Sequence, residues 1–303
     1  LTEISARTGV PGAEIGRGAI LVPTGHDDDG FHFMPCVFRA RCAASVLSNR
    51  SRAIGRPRMS PPLPIAAEGA CEARPFSATE VLPVPSYLET VYWWAYVHPK
   101  AVDVFEREWL VNAILFGNYA RLRNHALDAM GHSINGRTLQ VACVYGNLTP
   151  RLVARLGPQA RLEVVDILPI QLSNLRAKLP ADERVTLTQG DSSSLALADA
   201  SVDQALLFFL LHEQPEHVRR GTLAEVMRVV KPGGKIVIVD YHRPVMLHPM
   251  RPLMRAVFRK LEPYAMDLWR SEIAAYLPVD CRPASEQKRT WFGGLYQQLV
   301  WTR

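Results

Sequence analysis

Two carboxylates that follow successive apolar runs are the first residues in this sequence with a pattern suited to chemistry. Asp166 lies 20 residues beyond Gly146, and Asp191 follows the next apolar run in Gln189-Gly190-Asp191-Ser192. A carboxylate placed like Asp166 can accept hydrogen bonds from both ribose hydroxyls of a nucleoside held over the first strand-to-helix turn. Asp191 suits an acceptor for an adenine amine. The spacing therefore predicts a nucleoside cofactor.

The loop before this pair departs from the glycine-rich loops of nucleotide-binding folds. Residues 140–147 read Gln-Val-Ala-Cys-Val-Tyr-Gly-Asn. Dinucleotide dehydrogenases cradle pyrophosphate with a loop of three glycines, so this loop favours S-adenosylmethionine (SAM), which carries no phosphate. Val144 and Tyr145 are bulky where glycines let the backbone approach a ligand. The predicted SAM-contacting residues are Ala142, Val144, Tyr145, Gly146, Asp166, Ile167, Asp191 and Ser192.

A second group of polar residues follows the fourth and fifth predicted strands. His212 and Glu213 come after the fourth strand, and Asp240 and His242 come after the fifth. Ligands bind at this rim in open α/β sheets, so Tyr145, His212 and His242 are the predicted catalytic residues. Oxygen and imidazole groups also suit manganese. The spacing matches no metal motif, however, and the metal ligands stay unassigned, with a structural hydrogen-bonding role as the equal alternative.

The elements that must position these residues alternate between strand and helix. Strands are predicted at 138–144, 161–166, 185–189, 204–210 and 235–239, and helices at 149 onward, 169–179 and 215–230. This alternation predicts a mostly parallel sheet covered on both faces, as in Rossmann-like α/β domains. A hairpin of 288–292 and 295–301, joined by Gly293-Gly294, is predicted to close the sheet with antiparallel strands.

Several short motifs in this chain resemble the rhodoquinone biosynthesis family, over residues 87–303. They are Tyr92-Trp93-Trp94-Ala95-Tyr96-Val97-His98-Pro99-Lys100, Leu115-Phe116-Gly117-Asn118-Tyr119, Leu211-His212-Glu213-Gln214-Pro215 and Trp291-Phe292-Gly293-Gly294-Leu295-Tyr296. The resemblance implies a class I SAM-dependent methyltransferase fold, related to the methyltransferases of ubiquinone biosynthesis. In that fold the first loop usually reads acidic-x-small-x-Gly-x-Gly, whereas Gln140 stands here at the acidic position.

The resemblance also implies an activity. It is the conversion of ubiquinone to rhodoquinone, in which an amino group replaces a methoxy group, with SAM as amino donor and manganese as cofactor. A conventional SAM-dependent methyltransferase acting on a quinone or lipid-like phenol is the alternative. A catalytically silent SAM-binding partner in a quinone-synthesis complex is the alternative from another class.

Composition and pattern divide the chain into three predicted segments. Residues 1–80 form a predicted disordered tail that is basic and rich in proline, 81–135 a helical cap, and 136–303 a SAM-binding catalytic domain with a helical substrate insertion at 244–278. Within the cap, the spacing predicts one helix from 99 to about 127. Five cysteines without CxxC pairs fit a reducing, cytoplasmic location.

Apolar and cationic residues recur every four positions after the fifth predicted strand. The apolar set is Met246, Met250, Met254 and Phe258, and the cationic set is Arg251, Arg255 and Arg259. Met-rich stripes adapt to flexible apolar ligands, and neighbouring arginines can hold anionic headgroups. The stripe would suit the long isoprenoid tail of the ubiquinone that the resemblance implies as substrate. We expect peripheral contact with the cytoplasmic face of the inner membrane, with packing on the sheet as the alternative. Nucleic acid is not a predicted partner, because the arginine run at 39–58 lies outside the residues that resemble the family and no base-stacking motif accompanies it.

Overall fold

The computed structural model describes residues 82–303, so the predicted tail at 1–80 lies outside the described residues. Their strands are β1 (Arg137–Val141), β2 (Arg161–Asp166), β3 (Val185–Gln189), β4 (Val202–Phe208), β5 (Val230–Tyr241), β6 (Ser285–Trp291) and β7 (Tyr296–Thr302). They form one seven-stranded sheet in the order β3-β2-β1-β4-β5-β7-β6. The first five strands are parallel, and β7 pairs antiparallel with both β5 and β6. This topology confirms the predicted Rossmann-like α/β fold with its C-terminal hairpin.

Helices cover both faces of the sheet and precede it in the chain. They are α1 (Ser86–Val91), α2 (Pro99–Phe105), α3 (Glu108–Ile114), α4 (Tyr119–Met130), α5 (Leu148–Val153), α6 (Pro169–Lys178), α7 (Glu216–Val229), α8 (Arg251–Lys260) and α9 (Asp267–Arg270). Trp93–Val97 form a π-helical turn, and Leu211–Glu213, Pro263–Met266 and Ile273–Tyr276 form 3-10 turns. Within 82–303, none of the helices has the length and apolar character needed to cross a membrane.

Alternate residues of the central strands point to opposite faces, and both faces are buried. Leu206 and Val237 pack with α4 and α5 on one face, while Leu207 and Ile238 pack with α7 on the other. Parallel strands buried on both faces read as apolar runs, which is why the sequence predicts β2 at its observed residues. The edge strand β3 is only partly buried, and it also lies at its predicted residues. The packed sheet gives the loops at its carboxyl edge a rigid support.

The helical cap is divided, so the prediction of one helix from 99 to 127 is wrong. Arg107 has an extended backbone between α2 and α3, and Phe116 and Gly117 have φ of 50° and 76° between α3 and α4. Glycine adopts such a φ readily, and Phe116 is held by stacking on Phe292 with ring centroids 5.7 Å apart. Each segment keeps helical spacing, so apolar periodicity alone did not reveal the breaks.

Two predictions at the ends of β1 and α5 also need correction. The strand ends at Val141 rather than at 144, because Ala142 has φ 70° and its N–H donates to the Val165 carbonyl oxygen, 2.8 Å away. Thr149 does not cap the following helix. Its hydroxyl donates instead to Gln140 Oε1 over 3.0 Å, and the helix begins at Leu148.

The predicted methionine stripe is not continuous. The helix α8 begins only at Arg251, after two residues of turn, and Met254 and Phe258 are buried on its inner face. Met246 lies in the preceding loop and is 84% exposed. A repeat of four residues predicts one helix face only where the chain is helical, and here the repeat runs through a loop.

Candidate active site at the carboxyl edge of the sheet

A cavity of about 1050 Å³ opens at the carboxyl ends of the parallel strands. Its floor is formed by the loops after β1, β2, β3 and β4, and its walls include α3, α8 and the aromatic turn before α2. Ligand pockets commonly enclose roughly 300–1,000 Å³. The cavity therefore has room for a cofactor and a second substrate together.

Seven of the eight predicted SAM-contacting residues line this cavity. They are Ala142, Val144, Tyr145, Asp166, Ile167, Asp191 and Ser192. Gly146 does not line it and lies instead against Tyr119. Sequence spacing thus located the floor of the cavity, while the glycine has a packing role at this position.

Asp166, at the end of β2, is buried and held by the backbone on both sides. Its Oδ2 accepts the Cys143 N–H over 2.7 Å, and its Oδ1 accepts the Leu168 N–H over 2.8 Å. Burial raises the pKa of this carboxyl to about 6, although both hydrogen bonds act in the opposite direction. Each carboxylate oxygen can accept more than one hydrogen bond. The group can therefore still accept from a ligand while it fixes the loop after β1.

Asp191 and Ser192 lie at the end of β3, in a turn fixed by local hydrogen bonds. Asp191 Oδ1 accepts from both the N–H and the hydroxyl of Ser193, each over 2.7 Å. The Ser192 hydroxyl accepts from Gln214 Nε2 over 3.0 Å. Ile167 contributes apolar surface between this turn and the end of β2. The arrangement provides polar acceptors beside an apolar wall, as an adenine ring would need.

Tyr145 is locked into the helical cap. Its ring stacks between Tyr96 and Phe105, with centroids 5.7 Å and 5.9 Å away and interplanar angles of 9° and 24°. Its hydroxyl donates to the Ala95 carbonyl oxygen over 2.7 Å and accepts from Gln171 Nε2 over 2.8 Å. Burial raises the pKa of this hydroxyl, so it stays protonated. Tyr145 therefore positions the loop against the cap rather than offering a free acid or base.

A charged pair behind the cavity holds the backbone of the same loop. Lys178 Nζ donates to Glu106 Oε1 over 2.8 Å and to the carbonyl oxygens of Val144 and Gly146 over 3.3 Å and 3.1 Å. Glu106 Oε1 also accepts the Gly146 N–H over 3.2 Å. Glu106 directly follows α2, Lys178 ends α6, and the two are 72 positions apart, so no local pattern predicted the pair.

Replacing Gly146 by alanine is expected to destabilise this loop. The glycine has φ 80°, and an added Cβ would lie 2.6 Å from the Tyr119 hydroxyl oxygen. We expect Gly146→Ala to lower the free energy of unfolding by about 1–3 kcal/mol, measured by denaturant titration. Gly233→Ala is the matched control, because Gly233 has φ 77° with no atom within 4 Å of the added Cβ. Equal losses in both variants would show that the Tyr119 contact has no effect.

His212, in the turn after β4, lines the cavity as part of a buried dyad. Its Nδ1–H donates to Asp240 Oδ1 over 2.9 Å, and Asp240 is fully buried at the end of β5. The other ring nitrogen, Nε2, lies 3.6 Å from Glu213 Oε1 and 3.9 Å from Glu262 Oε2. A carboxylate that orients an imidazole in this way leaves Nε2 for proton exchange with a ligand.

The electrostatics of this cluster favour bound protons. Burial disfavours charge on His212, but Asp240, followed by Glu262 and Glu213, outweighs it and raises the imidazole pKa to about 9. Burial raises the pKa of Glu213 to about 8, partly opposed by His212 and by a hydrogen bond from the Tyr96 hydroxyl. Burial also raises the pKa of Glu262. The cluster can therefore donate a proton near neutral pH.

Glu262 was missed by sequence reasoning. Its Oε2 is buried and has no hydrogen-bond partner within the described residues. It follows α8 in the predicted insertion rather than a strand, so the strand-end pattern that located His212 gave no signal for it. Tyr96, whose hydroxyl donates to Glu213 Oε1, was likewise identified only as part of a motif.

His242 lies outside the cavity, although sequence reasoning placed it with the catalytic residues. Its Nδ1 lies 2.8 Å from the Gly294 carbonyl oxygen and its Nε2 lies 3.1 Å from Lys288 Nζ. The strand β5 ends at Tyr241, and the next residue turns towards the hairpin. The position of His242 directly after β5 therefore does not bring its side chain to the cavity, where a catalytic residue was predicted.

The manganese implied by the family resemblance does not fit the residues proposed for it. Asp240 uses both carboxylate oxygens for N–H groups of the backbone and of His212, and His242 is directed elsewhere. Across 82–303 there is no group of three or more His, Cys, Asp or Glu side chains that could hold a metal ion. These side chains therefore do not form the manganese site that the resemblance implies.

Comparisons with known proteins support the cofactor. Residues 138–234 match a family model described as a methyltransferase domain. A demethylmenaquinone methyltransferase of Anoxybacillus flavithermus is 26% identical over 170 residues, which cover 55% of this chain and 70% of the relative. The protein of the same name from Staphylococcus aureus (strain JH9) is 29% identical over 151 residues, which cover 50% and 61%. These matches support a class I SAM-dependent methyltransferase domain that binds SAM.

A solved structure supports the fold. An O-methyltransferase family protein from Burkholderia thailandensis superposes with a TM-score of 0.52 at 16% identity, covering 67% of this chain and 60% of that protein. This chain spans 70% of the length of the Anoxybacillus relative and 61% of the length of the Staphylococcus relative. The range of the family model, 138–234, includes the loops after β1, β2, β3 and β4 that form the floor of the cavity.

Proposed function

We propose that this chain is a SAM-dependent transferase that modifies the ring of a quinone with a lipid-like tail. One observation carries the proposal. A single cavity combines the SAM-type floor around Asp166 with the proton-bearing His212 cluster and a wall of apolar side chains. A cofactor on the floor would therefore face a ring held between the wall and His212.

The apolar wall supports a ring with a tail. Leu110 and Val111 of α3 face the same space as Val257 of α8, and Phe208 and Phe209 lie beneath them. Aromatic faces prefer flat ring partners, and apolar area removed from water favours binding of a hydrocarbon chain. The relatives named above act, by their names, on demethylmenaquinone, which is itself a quinone with such a tail. Ubiquinone is the quinone that the family resemblance implies.

Methyl transfer is the chemistry that the names of the relatives favour. The methyl group would pass from the sulfonium sulfur to an electron-rich ring carbon or oxygen, and the acceptor would lose a proton. His212, oriented by Asp240, lines the cavity, but its raised pKa of about 9 keeps it protonated near neutral pH, so it would receive that proton only at higher pH. A reduced quinone or a phenol would be the acceptor.

Amino transfer, as in rhodoquinone biosynthesis, is the second candidate, and two observations favour it. The unprotonated α-amine would attack an electron-poor ring carbon, and the methoxy group there would leave as methanol with a proton from the amine. The Cα–N bond would then break with loss of a proton from the neighbouring carbon, which leaves an amino group on the ring and an unsaturated acid on the sulfonium. A protonated His212 would assist the attack by donating to a quinone oxygen as negative charge develops there. In addition, Val144 and Tyr145 occupy loop positions where small residues allow close approach of the methionine part of SAM. We infer that this displacement turns the α-amine of SAM, rather than its methyl group, towards the ring.

Identifying the cofactor product tests the proposal. The purified full chain is incubated with SAM and either ubiquinone or a naphthoquinone lacking its ring methyl, oxidised or reduced, with and without manganese. Formation of S-adenosylhomocysteine that depends on the quinone would establish methyl transfer. Consumption of SAM without that product would support amino transfer. If SAM is stable with every quinone, the proposed function is wrong.

The loop hypothesis predicts an effect of reducing its two bulky residues. We expect Val144→Gly/Tyr145→Ser to change the affinity for SAM by about tenfold, equivalent to about 1.4 kcal/mol, and to lower amino transfer. The reason is that the loop would no longer hold the methionine part away from the sheet. Calorimetric titration measures the affinity. Tyr145→Phe is the control, because it keeps the stacked ring and removes only the hydroxyl contacts. Unchanged affinity and amino transfer in the double variant would refute the loop hypothesis.

A further inference from the structure

Exposed apolar side chains cluster in the loop between β5 and α8. Met246 and Leu247 are 84% and 94% exposed, and Val245 beside them is also exposed. Leu253 and Leu261, at either end of α8, are each partly exposed as well. Single exposed apolar residues are ordinary, but a contiguous group of this kind marks a binding surface.

This group lies on the side of the molecule where the cavity opens. Leu253 and Leu261 line the cavity themselves. The exposed loop is tied to the turn between β6 and β7, because the Val245 N–H donates to the Gly293 carbonyl oxygen over 2.9 Å. The neighbouring Phe292 stacks on Phe116, which also lines the cavity. The exposed loop is thus connected to the lining of the cavity through the Gly293 turn and the contact between Phe292 and Phe116.

Positive charge accompanies the apolar group. The helix α8 contains four cations and no carboxylate among its ten residues. Its inner face carries Met254 and Phe258, whereas Arg255 and Arg259 are exposed. The next acidic residue, Glu262, is buried and lines the cavity, so it does not offset the charge of the outer face. Apolar anchors with cations on the same short segment are typical of segments that lie at a membrane surface.

We propose that Val245–Leu247 and the outer face of α8, together called the entrance surface, dock on a bilayer with anionic headgroups. The three apolar side chains enter the boundary of the acyl chains, and Arg255 and Arg259 lie among the headgroups. The cavity then opens towards hydrocarbon, so a quinone could enter without its tail crossing water. This entry route for the quinone rests on the proposed function, whereas the docking on the bilayer does not. Cytoplasmic location, on the inner membrane, stays a prediction from sequence.

Vesicle flotation of the full chain tests the docking. We expect the protein to float with vesicles of phosphatidylcholine and phosphatidylglycerol, and far less with phosphatidylcholine alone. Met246→Ser/Leu247→Ser and Arg255→Glu/Arg259→Glu should each weaken partitioning by roughly tenfold. Neither pair lines the cavity. Val279→Ser controls for loss of an equally exposed apolar residue, at 83% exposure. Arg282→Glu/Arg289→Glu matches the change in net charge.

Several outcomes would overturn the docking. They are failure of the native chain to float with either vesicle, flotation that both entrance variants retain, and equal losses in the control variants. Measuring turnover of a water-soluble quinone without a tail separates the docking from the proposed function, because such a substrate does not need to enter from a membrane. The entrance variants should turn it over at the native rate. If even the native protein leaves that quinone unchanged while floating normally, the proposed function fails and the docking stands.

Discussion

Replacing His212 by glutamine should lower turnover by roughly 10²- to 10⁴-fold, the usual contribution of a general acid or base. The expected loss follows from the dyad, because the imidazole lines the cavity while Asp240 holds its Nδ1 at 2.9 Å and leaves Nε2 for proton exchange. Steady-state rates with saturating SAM would measure it. His132→Gln, at an exposed position outside the cavity lining, is the matched control. A native rate in His212→Gln would remove the dyad from the mechanism.

The pH dependence of the same variant gives a second readout. The pKa of His212 is raised to about 9 in the folded protein, above the value of about 6.5 expected when unfolded. The stabilisation from its protonated form should therefore be fully present below pH 6.5 and be lost as the pH rises through 9. Denaturant titrations across that range should show this decline in the native chain and a flatter profile in His212→Gln. Asp240→Asn should move the decline to lower pH, since it removes the charge that raises the pKa.

Replacing Asp166 by alanine should weaken SAM binding by at least about 100-fold. Two hydrogen bonds to a charged acceptor are worth about 3 kcal/mol or more together, and the loop held through the Cys143 N–H would also be released. Calorimetric titration of the purified variant measures the effect. In the native chain, affinity should also fall as the pH decreases through about 6, where this carboxyl takes up a proton.

Asp182→Ala provides the matched control for this prediction. Asp182 also accepts a backbone N–H, from Arg184 over 2.9 Å, but it precedes β3 at the opposite edge of the sheet and does not line the cavity. Thermal unfolding of both variants separates a binding loss from a folding loss. Native affinity in a folded Asp166→Ala protein would contradict the assignment of the ribose site.

The sheet could be predicted from sequence because its signal is local. Strands buried on both faces read as apolar runs, so β2 could be predicted at its observed residues. The same rule located Asp166 and His212, because parallel strands place their following residues at one edge. What failed were features without a local signal, such as the left-handed backbone of Phe116 that divides α3 from α4.

The parts of the site that sequence did not predict depend on contacts across the fold. Glu106 meets Lys178 only because the divided cap brings the end of α2 against α6. Glu262 reaches His212 because α8 returns the chain over the cavity, and no strand precedes it. His242 illustrates the opposite error, since a correct strand end does not determine where the next side chain points. Strand-end rules locate the rim of a site, and tertiary packing selects which rim residues face the ligand.

The most direct test of the proposed function follows the quinone itself. The full chain is incubated with ubiquinone, or with a reduced naphthoquinone lacking its ring methyl, and with SAM that carries distinguishable isotopes in its methyl carbon and its α-nitrogen. Each incubation is run with and without manganese, and the quinone is analysed by mass spectrometry. We predict that one of the two labels appears in the quinone, and that it disappears with Asp166→Ala and with His212→Gln. Nitrogen label would establish amino transfer, and carbon label would establish methyl transfer. A quinone of unchanged mass after incubation with folded protein that binds SAM would contradict the proposal.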